Sequence, residues 1–203
     1  MRKRLSLRWP PPPPVAPAQL DRLVDRVALY PDALLAQVLA ASTYYDKIPD
    51  AAAWADQHHY LTGQALADAI MEDQLPWDPS VQSLLPFPSV LEMMASDMTW
   101  TTQLGNAYLS QPQDGMDAVQ RERHKAYQYG YLSTNAQIVV TDGLYIVIAP
   151  ISPAFIIVPV CDPRIVFFPP RPGFVIAGAI RFGFGVTIGD FFAPLGWGGI
   201  RFD

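Results

Sequence analysis

The first hydrophobic positions fall in a helical rhythm. In "LDRLVDRVALYPDALLAQVLAAS", Leu20, Leu23, Val24 and Val27 make one stripe, and Leu34, Leu35, Val38 and Leu39 make a second. Tyr30 precedes Pro31, a residue suited to a first helical turn, and Asp32 sits well at the positive end of the following helix's dipole. The spacing predicts a helix-turn-helix pair. The same grammar continues to Gly130. Pro49 and Asp50 open "AAAWADQ", Thr62 caps "GQALADAIMEDQ", Asp78 caps "SVQSLL" and Pro88 opens "SVLEMMASDM". Thr99 or Thr101 starts "WTTQLGNAYLS", and Pro112 leads into "DGMDAVQRERHKAYQY", which Gly130 closes. Helices this short do not persist alone in water, so their apolar faces must pack together. Trp54, Trp77, Trp100, Met71, Met93, Met94 and Met98 are the expected shared core.

After Ser133 the period changes to that of strands. "AQIVVTDGLYIVIAP" reads as two short β runs joined by Asp142-Gly143, a tight-turn pair. "AFIIVPV" and "RIVFF" come next, separated by Asp162-Pro163. From Gly143 to Cys161 there are nineteen uncharged residues, long enough to raise the question of a membrane span. Pro150, Pro153 and Pro159 would each cost such a helix a backbone hydrogen bond, and the Ile and Val content favours strands. The stretch is predicted to be sheet, with Pro159 at an edge or bulge. Last comes "PGFVIAGAIRFGFGVTIGDFFAPLGWGGIRF", an apolar run threaded by glycines. Packing on the sheet or on a second copy is the expected role. A membrane-inserting or close-packed hairpin is the alternative, with Gly185 and Gly189 at helix-pairing spacing and Trp197 near its end.

These patterns predict an α+β chain: a bundle of short helices, a small antiparallel sheet and a Gly-rich apolar segment. Residues 1–16 form a basic, proline-rich tail or linker, 17–132 the helical module, 133–170 the sheet module and 171–203 the apolar segment. The proline run favours polyproline II, which makes the tail a semi-rigid spacer. The tail begins like a signal peptide, but only "LSL" comes after its basic residues before the prolines, so export by that route is not expected.

Charge narrows the partners. Arg2, Lys3, Arg4 and Arg8 make the N-terminus basic, whereas twelve acidic residues lie between Asp32 and Gln120 against Lys47 alone. That acidic stretch would repel a polyanion, so nucleic acid is not an expected partner. A single cysteine, Cys161, excludes an internal disulfide and a cysteine-based zinc site.

Several blocks carry a family resemblance. "ALYPDALLAQVLAAS", "PWDPSVQSLLPFPSVLEMM", "WTTQLGNAYLSQ", "MDAVQRER" and the turn in "VPVCDP" together resemble DUF 3300, a bacterial domain family of unknown function, from about Leu20 to Trp197. The resemblance implies a Gram-negative cell-envelope or periplasmic protein, usually exported and often with a long low-complexity tail. It carries over no catalytic residues. This sequence departs from the family's pattern in its N-terminus, in Cys161 where an aromatic residue is more usual, and in ending soon after Trp197.

The residue chemistry singles out no reaction. His58 and His59 are adjacent, so on a helix they diverge by about 100° and cannot share one metal as an i, i+4 pair can. His124 lies in "RERHK", whose charges are expected to form a solvated helix face. Asp21 with Asp25, and Arg22 with Arg26, are expected on an exposed face. Cys161 has no neighbouring histidine, and there is neither a Gly-x-Ser-x-Gly elbow nor a phosphate-cradling loop. No cofactor or metal is expected. Tyr30, Tyr44, Tyr45 and Trp77 are the candidates to line an interaction surface, with burial in the core as their commoner fate. The leading expectation is a non-catalytic structural or protein-interaction module whose partner is another envelope protein or a membrane surface. A membrane-associated protein and an unrecognised hydrolase are the alternatives.

Overall fold

In the computed structural model, residues 14–152, 154–173 and 178–188, together with Phe192 and Trp197, are described. The helices are α1 (Pro17–Val24), α2 (Asp32–Ser42), α3 (Ile48–Gln57), α4 (Gly63–Glu72), α5 (Pro79–Gln82), α6 (Pro88–Ser96), α7 (Met98–Ser110) and α8 (Pro112–Gln128), with α9 (Pro163–Val166) among the strands. Proline stands at the first or second position of α1, α3, α5, α6, α8 and α9, where its missing N–H costs nothing. Aspartates complete three of the starts. Asp78, Asp97 and Asp162 accept from the backbone N–H groups of Ser80, Trp100 and Arg164, which would otherwise lack partners. The cap of α7 is thus Asp97 and not Thr99 or Thr101. At the other end of α8, Gly130 takes the positive φ of 78° that ends the helix.

Helix α2 sits at the centre. Seven of its eleven residues are buried, so it is enclosed on most sides, with α5 and α7 against it and the sheet region beyond. Its Leu34 and, around it, Leu20, Leu84, Leu91, Met94 and Leu104 are almost fully enclosed. Trp100 joins this core and donates its indole N–H to the Leu23 carbonyl at 2.8 Å, pinning α7 to α1. Trp54, Trp77 and Met93 pack against the core at its margin. Met71 does not: it is 53% exposed, because α4 turns Leu66, Ala67 and Ile70 inward and leaves Met71 on the outer face.

Beyond α8 the chain forms two two-stranded antiparallel sheets. Strand β1 (Ile138–Thr141) pairs with β2 (Val147–Pro150), and β3 (Phe155–Cys161) pairs with β4 (Ile180–Thr187). Pro159 stands at a register shift in β3, as a residue without an amide donor should. Two local expectations fail. The β1–β2 connection spans residues 142–146 rather than a two-residue Asp-Gly turn, because side chains of α8 hold its far end. "RIVFF" supplies no strand. Asp162 caps a helical turn there, and the partner of β3 comes from the Gly-rich segment instead. Among the described residues no helix is long and apolar enough to cross a membrane.

Helices α2 and α7 touch at Gly105, where an added Cβ would collide with the Ser42 carbonyl. Gly115 of α8 faces open space. Alanine should therefore act with opposite sign at the two sites. Gly105→Ala should lower the free energy of unfolding by about 2 kcal/mol through overpacking, while Gly115→Ala should raise it by about 0.5–1 kcal/mol. Urea titrations of both variants measure this, and a Gly105→Ala midpoint at or above that of the parent would contradict the close approach.

Candidate functional site

The "RERHK" stretch is not a solvated face. Arg123 is 1% exposed and Glu122 is 3% exposed, because α8 lays this part of its surface against α1 and the turn between α1 and α2. The Arg123 guanidinium donates through Nε to the Ala28 carbonyl at 2.8 Å and through Nη2 to the Tyr30 carbonyl at 3.0 Å. Its Nη1 donates to Asp32 Oδ1 at 2.6 Å and to the Ile146 carbonyl at 2.8 Å. Four of its five N–H groups are thereby used. Gln120, one turn earlier, accepts from the Ile146 N–H at 2.8 Å and donates to the Ile146 carbonyl at 3.2 Å. Helix α8 thus holds the α1–α2 turn with one hand and the β1–β2 loop with the other.

A cleft of about 440 Å³ opens beside this junction, within the range of small-ligand sites. Leu35 of α2, Tyr108 of α7, Met116 of α8 and Tyr145 of the β1–β2 loop make its walls, while Gln120 and Arg123 lie at its floor. Met116 and Tyr145 are 36% and 54% exposed, so the mouth is apolar and open. Among the described residues the floor holds no free cation for an anionic ligand, since the guanidinium is committed to the protein.

A second group of titratable side chains surrounds the end of α1. Burial pushes the Asp25 carboxyl up to about 6, with Arg26 opposing and Glu122 adding to the rise. Asp25 does not share an exposed face with Asp21, because α1 ends at Val24 and the chain turns inward. Burial also raises Glu122, against the pull of Lys125, whose Nζ donates to it at 2.6 Å. Cys161 is pushed up to about 11 by burial, then by Asp162 and Asp25, which disfavours the thiolate near neutral pH. Burial lifts the Tyr30 phenol too, and its hydroxyl donates to the Met93 sulfur at 3.9 Å.

The histidines are occupied locally. His58 and His59, just past α3, place Nδ1 against its Trp54 and Asp56 carbonyls, and His124 places Nδ1 against the Gln120 carbonyl of α8. A carbonyl only accepts, so each ring carries its proton on Nδ1. No group of three metal-ligating side chains occurs among the described residues.

The residues singled out from the sequence lie in separate places. Tyr30 and Tyr44 flank opposite ends of α2, about 16 Å long, so they do not line one surface. Tyr30 is buried. Tyr44 is 41% exposed, and its hydroxyl bonds to Asp78, which raises the phenol's pKa. Tyr45 is exposed beside it, and Trp77 is half-buried, its carbonyl accepting from Gln82 Nε2 at 2.8 Å. Gly185 lies in a strand and not in a helix, and its missing Cβ makes room for the Phe155 ring of β3. Gly189 lies outside the described residues. Trp197 is buried against Phe87 at a ring separation of 5.5 Å and donates to the Ser83 carbonyl at 3.0 Å. The cleft residues Tyr108, Met116 and Tyr145 were not expected. The signal that would have found them is the pairing of a buried arginine on α8 with the turn before α2, which joins two of the family-like blocks, "ALYPD" and "QRER".

The family model for proteins of unknown function DUF3300 matches residues 16–171, which include α1 through α9 and the first three strands. The chain belongs to the DUF3300 family. Over 134 residues it is 43% identical to the uncharacterized protein YacH of Escherichia coli strain K12, a match covering 62% of this chain and 21% of YacH. The chain therefore spans about a fifth of the curated relative it matches. No solved structure matches. Within this DUF3300 chain the match takes in every lining residue of the cleft and stops before β4.

Asp25 sets the expected pH response. Its carboxyl binds a proton more readily folded than unfolded, so ionising it costs the folded state stability as pH rises through about 6. Acidification from pH 7.5 to 5 should therefore stabilise the fold through this group. Asp25→Asn should raise stability at pH 7.5 by about 1 kcal/mol, allowing for solvent screening, and by less at pH 5. Thermal melts at the two pH values measure both effects, and an equal gain at both would remove Asp25 as the cause.

Proposed function

We propose that this chain is a non-catalytic interaction module of the bacterial cell envelope and that the cleft between α2, α7, α8 and the β1–β2 loop is its binding face. The observation that carries this reading is the commitment of Arg123 to the protein's own acceptors. The strongest positive charge at the cleft is tied to four protein acceptors, which leaves aromatic, thioether and amide groups and the Asp117 carboxylate to meet a partner. The buried Cys161 thiol supports the same view, since burial and the neighbouring aspartates disfavour its thiolate. The envelope assignment rests on the family resemblance.

Two measurements in the native host test this. Fractionation of the full-length protein should place it in the periplasm or at the membrane surface, released by a high-salt, alkaline wash; recovery in the cytoplasm alone would refute the envelope assignment. A photo-crosslinking residue in place of Leu144, 87% exposed and next in the chain to the cleft-lining Tyr145, should give one discrete adduct with an envelope component. Tyr108→Ala in the same chain should reduce that adduct severalfold while leaving the circular dichroism unchanged. An adduct indifferent to Tyr108→Ala would show that the cleft is not the binding face.

A further inference from the structure

The geometry points to an occupant of the cleft from the chain itself: the basic, proline-rich segment of residues 1–13, held there in cis as a placeholder for the partner. This inference rests on the reading of the cleft as the binding face.

The segment's exit point is fixed. Gln111, between α7 and α8, accepts from the Val15 N–H at 2.6 Å and donates back to the Val15 carbonyl at 3.4 Å. One amide side chain thus grips both polar groups of Val15, in the way a neighbouring strand would. Gln111 is the corner between α7 and α8, and Tyr108 and Gln113 on its two sides line the cleft, so the segment leaves the described body from a corner that borders the cleft.

Its length also suits the cleft. Pro10 to Pro14 is an unbroken run of five prolines. In polyproline II it covers about 15 Å. The part of α8 that borders the cleft, from Gln113 to Arg123, is also about 15 Å long.

Surface chemistry agrees. Grooves that take polyproline II segments are lined by aromatic side chains that stack on proline rings, and Tyr108 and Tyr145 stand on two sides of this one. A polyproline II segment brings little conformational entropy to lose, and Trp9, just ahead of the run, supplies an apolar anchor for the open mouth beside Met116. Charge favours the same pairing. Arg2, Lys3, Arg4 and Arg8 precede the prolines, Asp117 lines the cleft, and residues 32–120 carry twelve acids against one lysine. At physiological salt these charges orient the segment more than they hold it.

The test uses the purified full-length chain with a photo-crosslinking residue in place of Tyr145. A control chain carries the same residue in place of Tyr60, which is 69% exposed on the α3–α4 side. Mass spectrometry should find adducts between position 145 and peptides from residues 1–13, and none from position 60. The yield should hold on roughly tenfold dilution, because the tether sets the local concentration. Trp9→Ala or Asp117→Lys should reduce it severalfold without changing the circular dichroism. Adducts equal at the two positions, or unaffected by Trp9→Ala, would overturn the inference. So would adducts found only between isotopically distinct copies, which would make the occupant a second chain. Cross-linking of position 145 to a host envelope protein, with none to residues 1–13, would overturn the inference while leaving the interaction-module reading intact.

Discussion

The molecule is organised around one buried guanidinium. Taking Arg123 out of water costs several kcal/mol, and its burial depresses its pKa against the support of Asp32. That cost is offset only because three carbonyls and a carboxylate converge on the group from elements that otherwise share little sequence neighbourhood. The arrangement is stringent. A shorter or differently shaped cation would leave buried carbonyls of Ala28 and Tyr30 without donors, and a neutral side chain would remove the charge partner of Asp32. Arginine's planar fork meets all four acceptors in a way that lysine's point charge cannot. The turn before α2, the middle of α8 and the end of the β1–β2 loop are therefore one polar joint, and the cleft walls inherit their positions from it.

Around that joint, the helices divide the work between local and distant causes. Prolines and capping aspartates mark where helices begin, a decision made within a few residues. The helix beyond each start is too short to be stable alone, so packing against α2 supplies the rest. The Gly105 contact shows how tight that packing is, with backbone meeting backbone where two helices touch. The buried Trp197 extends the same logic to the other end of the chain, reaching back to the α5–α6 corner through Ser83 and Phe87.

Much of this is legible in the sequence, and the misses have a common form. Apolar periodicity reveals the helices, and the proline and aspartate starts set most of their boundaries, because those signals are local. The uncharged stretch from Gly143 to Cys161 reads correctly as sheet, since three prolines and many β-branched residues exclude a long helix. Pairing at a distance stays hidden. "RERHK" has the composition of a surface helix, and nothing near it reveals that Arg123 and Glu122 face inward; only the placement of α1 does that. Asp142-Gly143 is a good tight turn in isolation, but Gln120 and Arg123 hold Ile146 and lengthen the connection. The strand "IRFGFGVT" alternates aromatic and glycine residues, a weak signal until the Phe155 ring is seen filling the space beside Gly185, whose partner across the sheet is Ile157. The cleft escapes notice because its walls come from four elements, each of which reads as ordinary core or surface.

The hold of Arg123 on Ala28 spans ninety-five residues of chain. During synthesis at about 5–20 residues per second, the α1–α2 turn would wait about 5–20 s for its guanidinium. Throughout that interval the Ala28 and Tyr30 carbonyls lack their guanidinium donor, so burying the turn while the first seven helices are being made would leave both without that partner. The bundle's innermost polar joint is thus set only when α8 arrives, and the β1–β2 loop, made within the next two dozen residues, is clamped almost immediately afterwards.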